Sequence, residues 1–393
     1  MKNHIAIVGL GYVGLPLASK LASNNSIIGY DINEDRIKEL RNGHDYTNEV
    51  KDIPPDIRFT CTPCDLSHAD VLIITVPTPV KENKQPDLTA LNSAVGTVMR
   101  NMKPKATMII ESTVYPGYTD EIAELMEKET GKKLWKDFFV GYSPERINPG
   151  DEYHRFQNTT KIIASPNEDT LKLMAELYSP ITNIHPVRSF QEAEAAKCFE
   201  NIQRDVNIAT VNEFVKILDQ MEIDSNNVLE ACRTKWNFLD FRPGLVGGHC
   251  IPVDPYYFMD KAKEYEPFTI MSHARSVNEN MLYFIANKIR AMTLKGSQIL
   301  VCGKTYKANV PDTRNSLTGR LCERLKFYGR KVKLVDPLID SDFDMKCLWE
   351  PDYTVIAVAH DEILNDKVLI PRTHTEYIDL TGKWNKTPVI WRF

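Results

Sequence analysis

One cysteine in this sequence stands where a thiol could do covalent chemistry. Cys250 follows Gly247, Gly248 and His249 and precedes Asp254 by four residues, within the glycine-rich stretch FRPGLVGGHCIPVDPYY. The thiolate is the nucleophilic form of cysteine, and a nearby positive group favours it. Such a group can add to an aldehyde to form a thiohemiacetal, whose oxidation gives a thioester that water hydrolyses. That series would take a primary alcohol to a carboxylate in two oxidations while holding the aldehyde between them. His249 is the obvious candidate for a general base, since imidazole titrates near neutral pH. Its place beside the cysteine does not aim its ring at the thiol, and support of the loop is the simpler role.

Hydride removal needs an acceptor, and the amino-terminal segment carries a pattern for one. Gly9-Leu10-Gly11-Tyr12-Val13-Gly14 reads G-x-G-x-x-G between the apolar run HIAIVG and the helix-like LPLASKLA, and Asp31 closes the next run, SIIGYD. Gly9 suits a tight turn, Gly11 lets backbone approach a pyrophosphate, and Gly14 allows close helix packing, with the helix amino end offering N–H groups to the anion. Asp31 would accept hydrogen bonds from ribose hydroxyls and repel a 2'-phosphate, so the expected cofactor is NAD rather than NADP. Arg36 lies close by in sequence and is counted among the cofactor candidates, although the exposed face of the following helix is its simpler place.

The elements that must hold these residues follow from hydrophobic periodicity. Further strand candidates at Val71 to Val76, Thr107 to Glu111 and Phe138 to Tyr142 alternate with helix-length segments around Asp87 to Met102 and Tyr118 to Glu129. Alternation of this kind implies a doubly wound parallel sheet. From Gln191 to about Met221 the chain has no Gly or Pro and predicts one long helix. Another helix is expected after Asp224, a plausible N-cap, and more over Ser272 to Lys295, so the Cys250 loop lies between helical blocks. Near Gln298 a second alternating series begins with SQILVCG, TGRLCERLKFYG, KVKLVDP, YTVIAVAHD and TEYIDLTG. The expected architecture is α/β, two Rossmann-like parallel-sheet domains (1–190 and 296–393) joined by a central helical region (191–295).

Bulk properties narrow the function class. The 393 residues are 42% hydrophobic and 26% charged with a formal net charge of -5, which offers no basic field for nucleic acid. Apolar runs fall well short of the roughly 20 residues of a spanning helix, and the amino terminus has no small-residue cleavage site, so a cytoplasmic protein is expected. Cysteines at 61, 64, 198, 232, 250, 302, 322 and 347 are too scattered for a disulfide scaffold. Cys61 and Cys64 have C-x-x-C spacing but no second pair to complete a metal site, and no metal is expected.

Taken together, the glycine pattern, YSPERINPG at Tyr142 to Gly150, EAAKCFEN at Glu194 to Asn201, VGGHCIPVDPYY at Val246 to Tyr257 and KANVPDTRNS at Lys307 to Ser316 resemble the UDP-glucose/UDP-hexosamine 6-dehydrogenase family. The likeness covers nearly the whole chain. It is nearest the bacterial branch that oxidises UDP-N-acetylhexosamines for capsule, O-antigen and related surface polysaccharides. The resemblance implies an NAD domain, a central dimerisation region and a domain for the UDP moiety, in a homodimer with possible higher assembly.

It also implies roles for individual residues. Cys250 would be the nucleophile; Asp254, with a water positioned by Thr113, would accept a proton in the first oxidation. Lys197 and Asn201, four positions apart on the predicted helix, would surround the reacting oxygen, and Glu145 would handle the aldehyde and thioester hydrolysis. Arg242 would reach the neighbouring subunit's sugar site, while Arg146, Gly247 and Lys307 would contact substrate. Thr78, Thr113 and Arg314 would join Gly9, Gly11, Tyr12, Val13, Gly14, Asp31 and Arg36 around the cofactor. UDP-N-acetylglucosamine or UDP-N-acetylgalactosamine is the first substrate reading; UDP-glucose and UDP-N-acetylmannosamine are alternatives. A non-catalytic NAD-binding assembly protein is the reading from another class.

Overall fold

A computed structural model describes residues 3–146, 158–265, 269–343, 349–365 and 375–392. The INPG end of the YSPERINPG stretch and Cys347 lie outside them. The chain divides into two compact units, Met1–Glu200 with Tyr256–Tyr265, and Asn201–Pro255 with Glu266–Phe393. Each contains a Rossmann-like α/β sheet, and helical segments link the two.

The first unit holds strands β1 (His4–Val8), β2 (Ser26–Tyr30), β3 (Arg58–Thr60), β4 (Val71–Ile74), β5 (Thr107–Ile110), β6 (Phe139–Tyr142), β7 (Lys161–Ala164) and β8 (Ile184–Val187). Their order is β3-β2-β1-β4-β5-β6-β7-β8. Continuous apolar runs such as VLII of β4 mark strands buried on both faces. Alternate residues serve opposite faces. Ile5 and Ile7 pack with α1 (Gly14–Leu21), α2 (Glu34–Arg41) and α5 (Glu168–Tyr178), whereas Ala6 and Val8 join the core under α3 (Thr89–Asn101) and α4 (Tyr118–Thr130). One pairing departs from the all-parallel expectation: β6 meets β7 antiparallel, at Tyr142 and Ala164.

Register sets the functional edge. Val8 lies beside Ile74, Ile74 beside Ile110, and Ile110 beside Tyr142, so β1, β4, β5 and β6 end together. The loops leaving them share the carboxyl edge of the sheet, where ligands of such sheets bind.

The second unit carries β9 (Gln298–Cys302), β10 (Lys331–Val335), β11 (Tyr353–Ile356), β12 (Glu376–Asp379) and β13 (Val389–Arg392) in the all-parallel order β10-β9-β11-β12-β13. Strand β13 was not among the expected elements. The long helix α6 (Phe190–Gln220) begins in the first unit and continues into the second. Helix α7 (Ser225–Arg233) starts from Asp224, whose Oδ1 accepts from Asn226 N and Asn227 N, so the anticipated N-cap is real. Helix α8 (Asp254–Ala262) opens at the end of the Cys250 loop. Helix α9 (Ile270–Met292) buries Met281, Ile285 and Ile289 against Ile299 and Val301 of β9 and against α10 (Thr318–Phe327). Among the described residues no helix is long and apolar enough to cross a membrane.

Candidate active site

The glycine loop follows β1. Gly9 has φ +95°, open to glycine at little cost, and its N–H donates to Tyr30 O at 2.8 Å. A Cβ on Gly14 would lie 1.8 Å from Gly9 O, so helix α1 could not seat with any other residue there. Gly11 has open space where its Cβ would point. At Val13, the N-cap, no side chain caps α1, and its first turn has no acidic residue, so the helix amino end stays suited to an anion. Asp31 fixes the loop: Oδ2 accepts from Leu10 N at 2.8 Å and Oδ1 from Asn33 N at 2.9 Å. A carboxylate has about four acceptor positions, so capacity for ribose hydroxyls remains. These features fit a dinucleotide.

Arg36 corrects the expectation of an exposed face. It is 4% exposed, donates through Nε to Leu10 O at 2.9 Å, and pairs with Asp45 at 2.7 Å and Glu39 at 3.0 Å. Burial raises the Asp45 carboxyl, but hydrogen bonds from Arg36, Thr47 and the backbone outweigh it and hold the group below its ordinary range. Arg36 therefore braces the glycine loop from beneath. Thr75, which the sequence reading missed, does so from just after β4, donating to Gly9 O at 2.7 Å.

Three further loops meet this edge. Half-buried Thr78 lies after β4, in a segment to which Tyr257 of α8 donates at Pro79 O, 3.1 Å away. Half-buried Thr113 lies after β5, where Ser112 donates to Val76 O at 2.7 Å and so ties the two loops. Glu145 lies after β6, its Oε1 accepting from Arg146 N at 2.6 Å. Arg146 itself is clamped by Glu200, at 2.6 Å and 3.2 Å. Beneath them, burial raises the pKa of Glu111 while Lys161 opposes that rise.

Lys197 and Asn201 sit one turn apart on α6, and both are buried. In the second unit Asn201 Nδ2 donates to Asp254 Oδ2 at 2.6 Å, and Asp254 N donates to Cys250 O at 2.8 Å. The cysteine thus lies one turn ahead of α8, half-buried, with the carboxylate and amide held by the same bonds. The His249 ring accepts from Arg314 Nη2 at 3.1 Å and meets Tyr306 edge-on at 6.4 Å, as loop support requires. Arg314 is itself paired with Asp312 at 2.6 Å. Arg242 is half-exposed and pairs with Asp240 at 3.3 Å.

The loop before Cys250 is pinned by groups that sequence patterns did not single out. Buried Asn212 of α6 accepts from Gly244 N at 2.8 Å and donates to Gly244 O at 3.1 Å, imitating a backbone partner. Asn278 of α9 holds Asn212 at 2.9 Å and Asp205 at 2.7 Å. Gly247 packs so closely that a Cβ would lie 2.8 Å from Tyr306 Cβ. Gly247 and Lys307 line one cavity of about 220 Å³ with Gly244, Tyr306 and Thr381. Buried His360 accepts from Asn309 N through Nδ1, so Nε2 carries the proton between Thr305 and Asp336 and fixes the Lys307 turn.

The arrangement agrees with comparison to known proteins. Residues 3–182 match the NAD binding domain of the UDP-glucose/GDP-mannose dehydrogenase family, residues 191–280 its central domain and residues 300–390 its UDP binding domain. Protein CapL of Staphylococcus aureus is 44% identical over 93% of this chain and 92% of that protein. A UDP-N-acetyl-D-glucosamine 6-dehydrogenase of Pseudomonas aeruginosa is 42% identical over 92% of this chain and 91% of its own length. Among solved structures, a UDP-D-ManNAc dehydrogenase from Pyrococcus horikoshii superposes with a TM-score of 0.89 at 32% identity, covering 99% of this chain and 98% of that one.

Proposed function

Since this chain belongs to the UDP-glucose/GDP-mannose dehydrogenase family and is an NAD-dependent nucleotide-sugar dehydrogenase, we propose that it oxidises the C6 alcohol of a UDP-N-acetylhexosamine to the carboxylate through Cys250. The observation that carries the reading is the Asn201–Asp254–Cys250 group, in which a buried amide, a buried carboxylate and a thiol-bearing loop share consecutive hydrogen bonds. Bound NAD supplies the hydride acceptor for each oxidation.

In this reading Asp254, with a water held by Thr113, takes the hydroxyl proton as the alcohol becomes an aldehyde. Cys250 then adds through sulfur to the carbonyl carbon, and the thiol proton passes to the carbonyl oxygen, giving the thiohemiacetal. Loss of a second hydride from carbon, with the hydroxyl proton passing to the Asp254-bound water, converts the thiohemiacetal to a thioester. Water attacks that carbon, the C–S bond breaks, and Glu145 accepts the water's proton. Lys197 and Asn201 stabilise the negative oxygen at each stage. Gly9, Gly11, Tyr12, Val13, Gly14, Asp31, Thr78 and Arg314 hold NAD, with Arg36 acting through Leu10. Gly247, Arg146 and Lys307 serve the UDP-sugar, and Arg242 acts across a homodimer. The three-part division 1–190, 191–295 and 296–393 and a cytoplasmic setting belong to the same proposal.

Substrate choice lies among epimers. The comparisons weigh toward UDP-N-acetylmannosamine, the alternative in the sequence analysis, because the fold likeness to the Pyrococcus enzyme extends over 99% of the chain. UDP-N-acetylglucosamine is the second reading, favoured by the 42% identity to the Pseudomonas enzyme. An NADH-forming assay with the UDP forms of N-acetylmannosamine, N-acetylglucosamine, N-acetylgalactosamine and glucose, with product mass, tests both class and epimer. Two NADH per uronate supports the reading; one NADH per aldehyde, or none with any sugar, rejects it.

A further inference from the structure

Behind Glu145 the first unit buries a cation between two carboxylates. Lys161, at the start of β7, places Nζ 3.0 Å from Glu111 Oε2 and 3.9 Å from Glu145 Oε2. Glu111 follows β5 and is buried, and its other oxygen accepts from Tyr178 Oη of α5 at 2.5 Å. The same ammonium stands 5.0 Å from the centroid of the Tyr178 ring. Glu145 is thus addressed at both oxygens, Oε1 by Arg146 N and Oε2 by the ammonium.

A buried lysine needs one carboxylate to compensate its charge. The second, at the sheet edge, is what makes the cluster unusual. Glu111 and Tyr178 draw the ammonium inward, so Glu145 feels it at longer range. Attraction across that gap orients Oε2, yet stays weaker than a direct pair that would hold the carboxylate fast. Charged and titratable groups that face Glu145 include Lys161, Glu111 and Tyr178. Resting on the functional reading above, we propose that Lys161, held by Glu111 and Tyr178, is a positioning residue whose charge orients Glu145 to take the proton from the hydrolytic water.

The test compares the wild type with Glu111→Gln and with the double variant Lys161→Met/Glu111→Gln, which removes the cation together with its counter-ion and strands no buried charge. Rapid mixing with NAD and the preferred UDP-sugar, followed by intact-protein mass, reads the acyl-enzyme, and NADH reads the oxidations. The double variant should release its NADH in a normal burst and then stall, with acyl-enzyme persisting roughly tenfold longer and the acid limb of turnover moved up by about one pH unit. Glu111→Gln, which leaves the ammonium to Glu145, should move that limb the other way. A merely structural role would not produce opposite movements. Wild-type hydrolysis and an unmoved acid limb in both variants, or equal slowing of both oxidations without acyl build-up, overturns the inference.

A second arm needs no substrate. Infrared titration of protein labelled with carbon-13 glutamate, the Glu145 signal assigned by its loss in Glu145→Gln, should show that carboxylate protonating at higher pH in the double variant. An unmoved signal overturns the inference even where uronate is made. A moved signal in a protein that oxidises none of the UDP-sugars supports the role of Lys161 and rejects the functional reading instead.

Discussion

Asn201 donates to Asp254 across 2.6 Å, joining helix α6 to the first residue of α8, and both side chains are buried. A buried carboxylate needs such donors to satisfy its oxygens. The bond therefore ties the proton acceptor proposed for the first oxidation to the helix that carries Lys197.

Asn201→Ala should slow the first oxidation while sparing NAD binding. Losing a hydrogen bond to a charged group costs roughly 1.5–3 kcal/mol, or about ten- to a hundredfold in rate. Single-turnover NADH formation checks this. A variant with an unchanged first turnover and a slowed second would assign Asn201 to the thioester stage alone.

In the proposed reading Asp31 sets cofactor choice by its charge, while its Oδ2 accepts from Leu10 N. Asp31→Asn keeps an acceptor for Leu10 N but removes the anion that repels a 2'-phosphate. Its kcat/KM ratio for NAD over NADP should fall by about tenfold or more from the wild-type preference, corresponding to roughly 1.4 kcal/mol. Steady-state kinetics with both cofactors decides it, and a wild type that favours NADP removes the premise.

Glu194 makes stability depend on pH. Burial pushes its carboxyl up to about 7, against hydrogen bonds from Thr119 and from the Gly117 and Thr119 backbone at the start of α4. The folded state thus binds the proton more tightly than the unfolded chain. Its stabilising contribution is fully present below about 4.5 and is lost as pH rises through about 7. The span corresponds to roughly 3 kcal/mol. Urea unfolding at a series of pH values should show Glu194→Gln gaining on the wild type between these limits. Parallel curves would show that the proton does not distinguish the folded state.

Short-range patterns in the sequence reached the glycine loop, α6 and the Asp224 cap, because each is encoded within a few turns of chain. They did not reach the antiparallel β6–β7 pair, since the apolar run KIIA carries no direction. Arg36 was misplaced because its partners Leu10 and Asp45 lie on other segments. The bonds from Asn212 to Gly244 and from His360 to Asn309 likewise join distant stretches. Cys250, Asp254, Lys197 and Asn201 could be named together only through their likeness to a family, because no periodicity links a helix to a loop some fifty residues on.

The central claim is that sulfur carries the substrate between the two oxidations, and Cys250→Ala separates those steps. The first hydride transfer needs alignment and a proton acceptor, which the variant keeps, whereas the thioester needs the thiol. Intact-protein mass after brief mixing with NAD and UDP-sugar, read beside NADH and product mass, is the direct measurement. The wild type should show an acyl adduct and release uronate, while folded Cys250→Ala should bind both ligands, form no adduct and make almost no uronate. Near-normal uronate production by that variant would contradict the account.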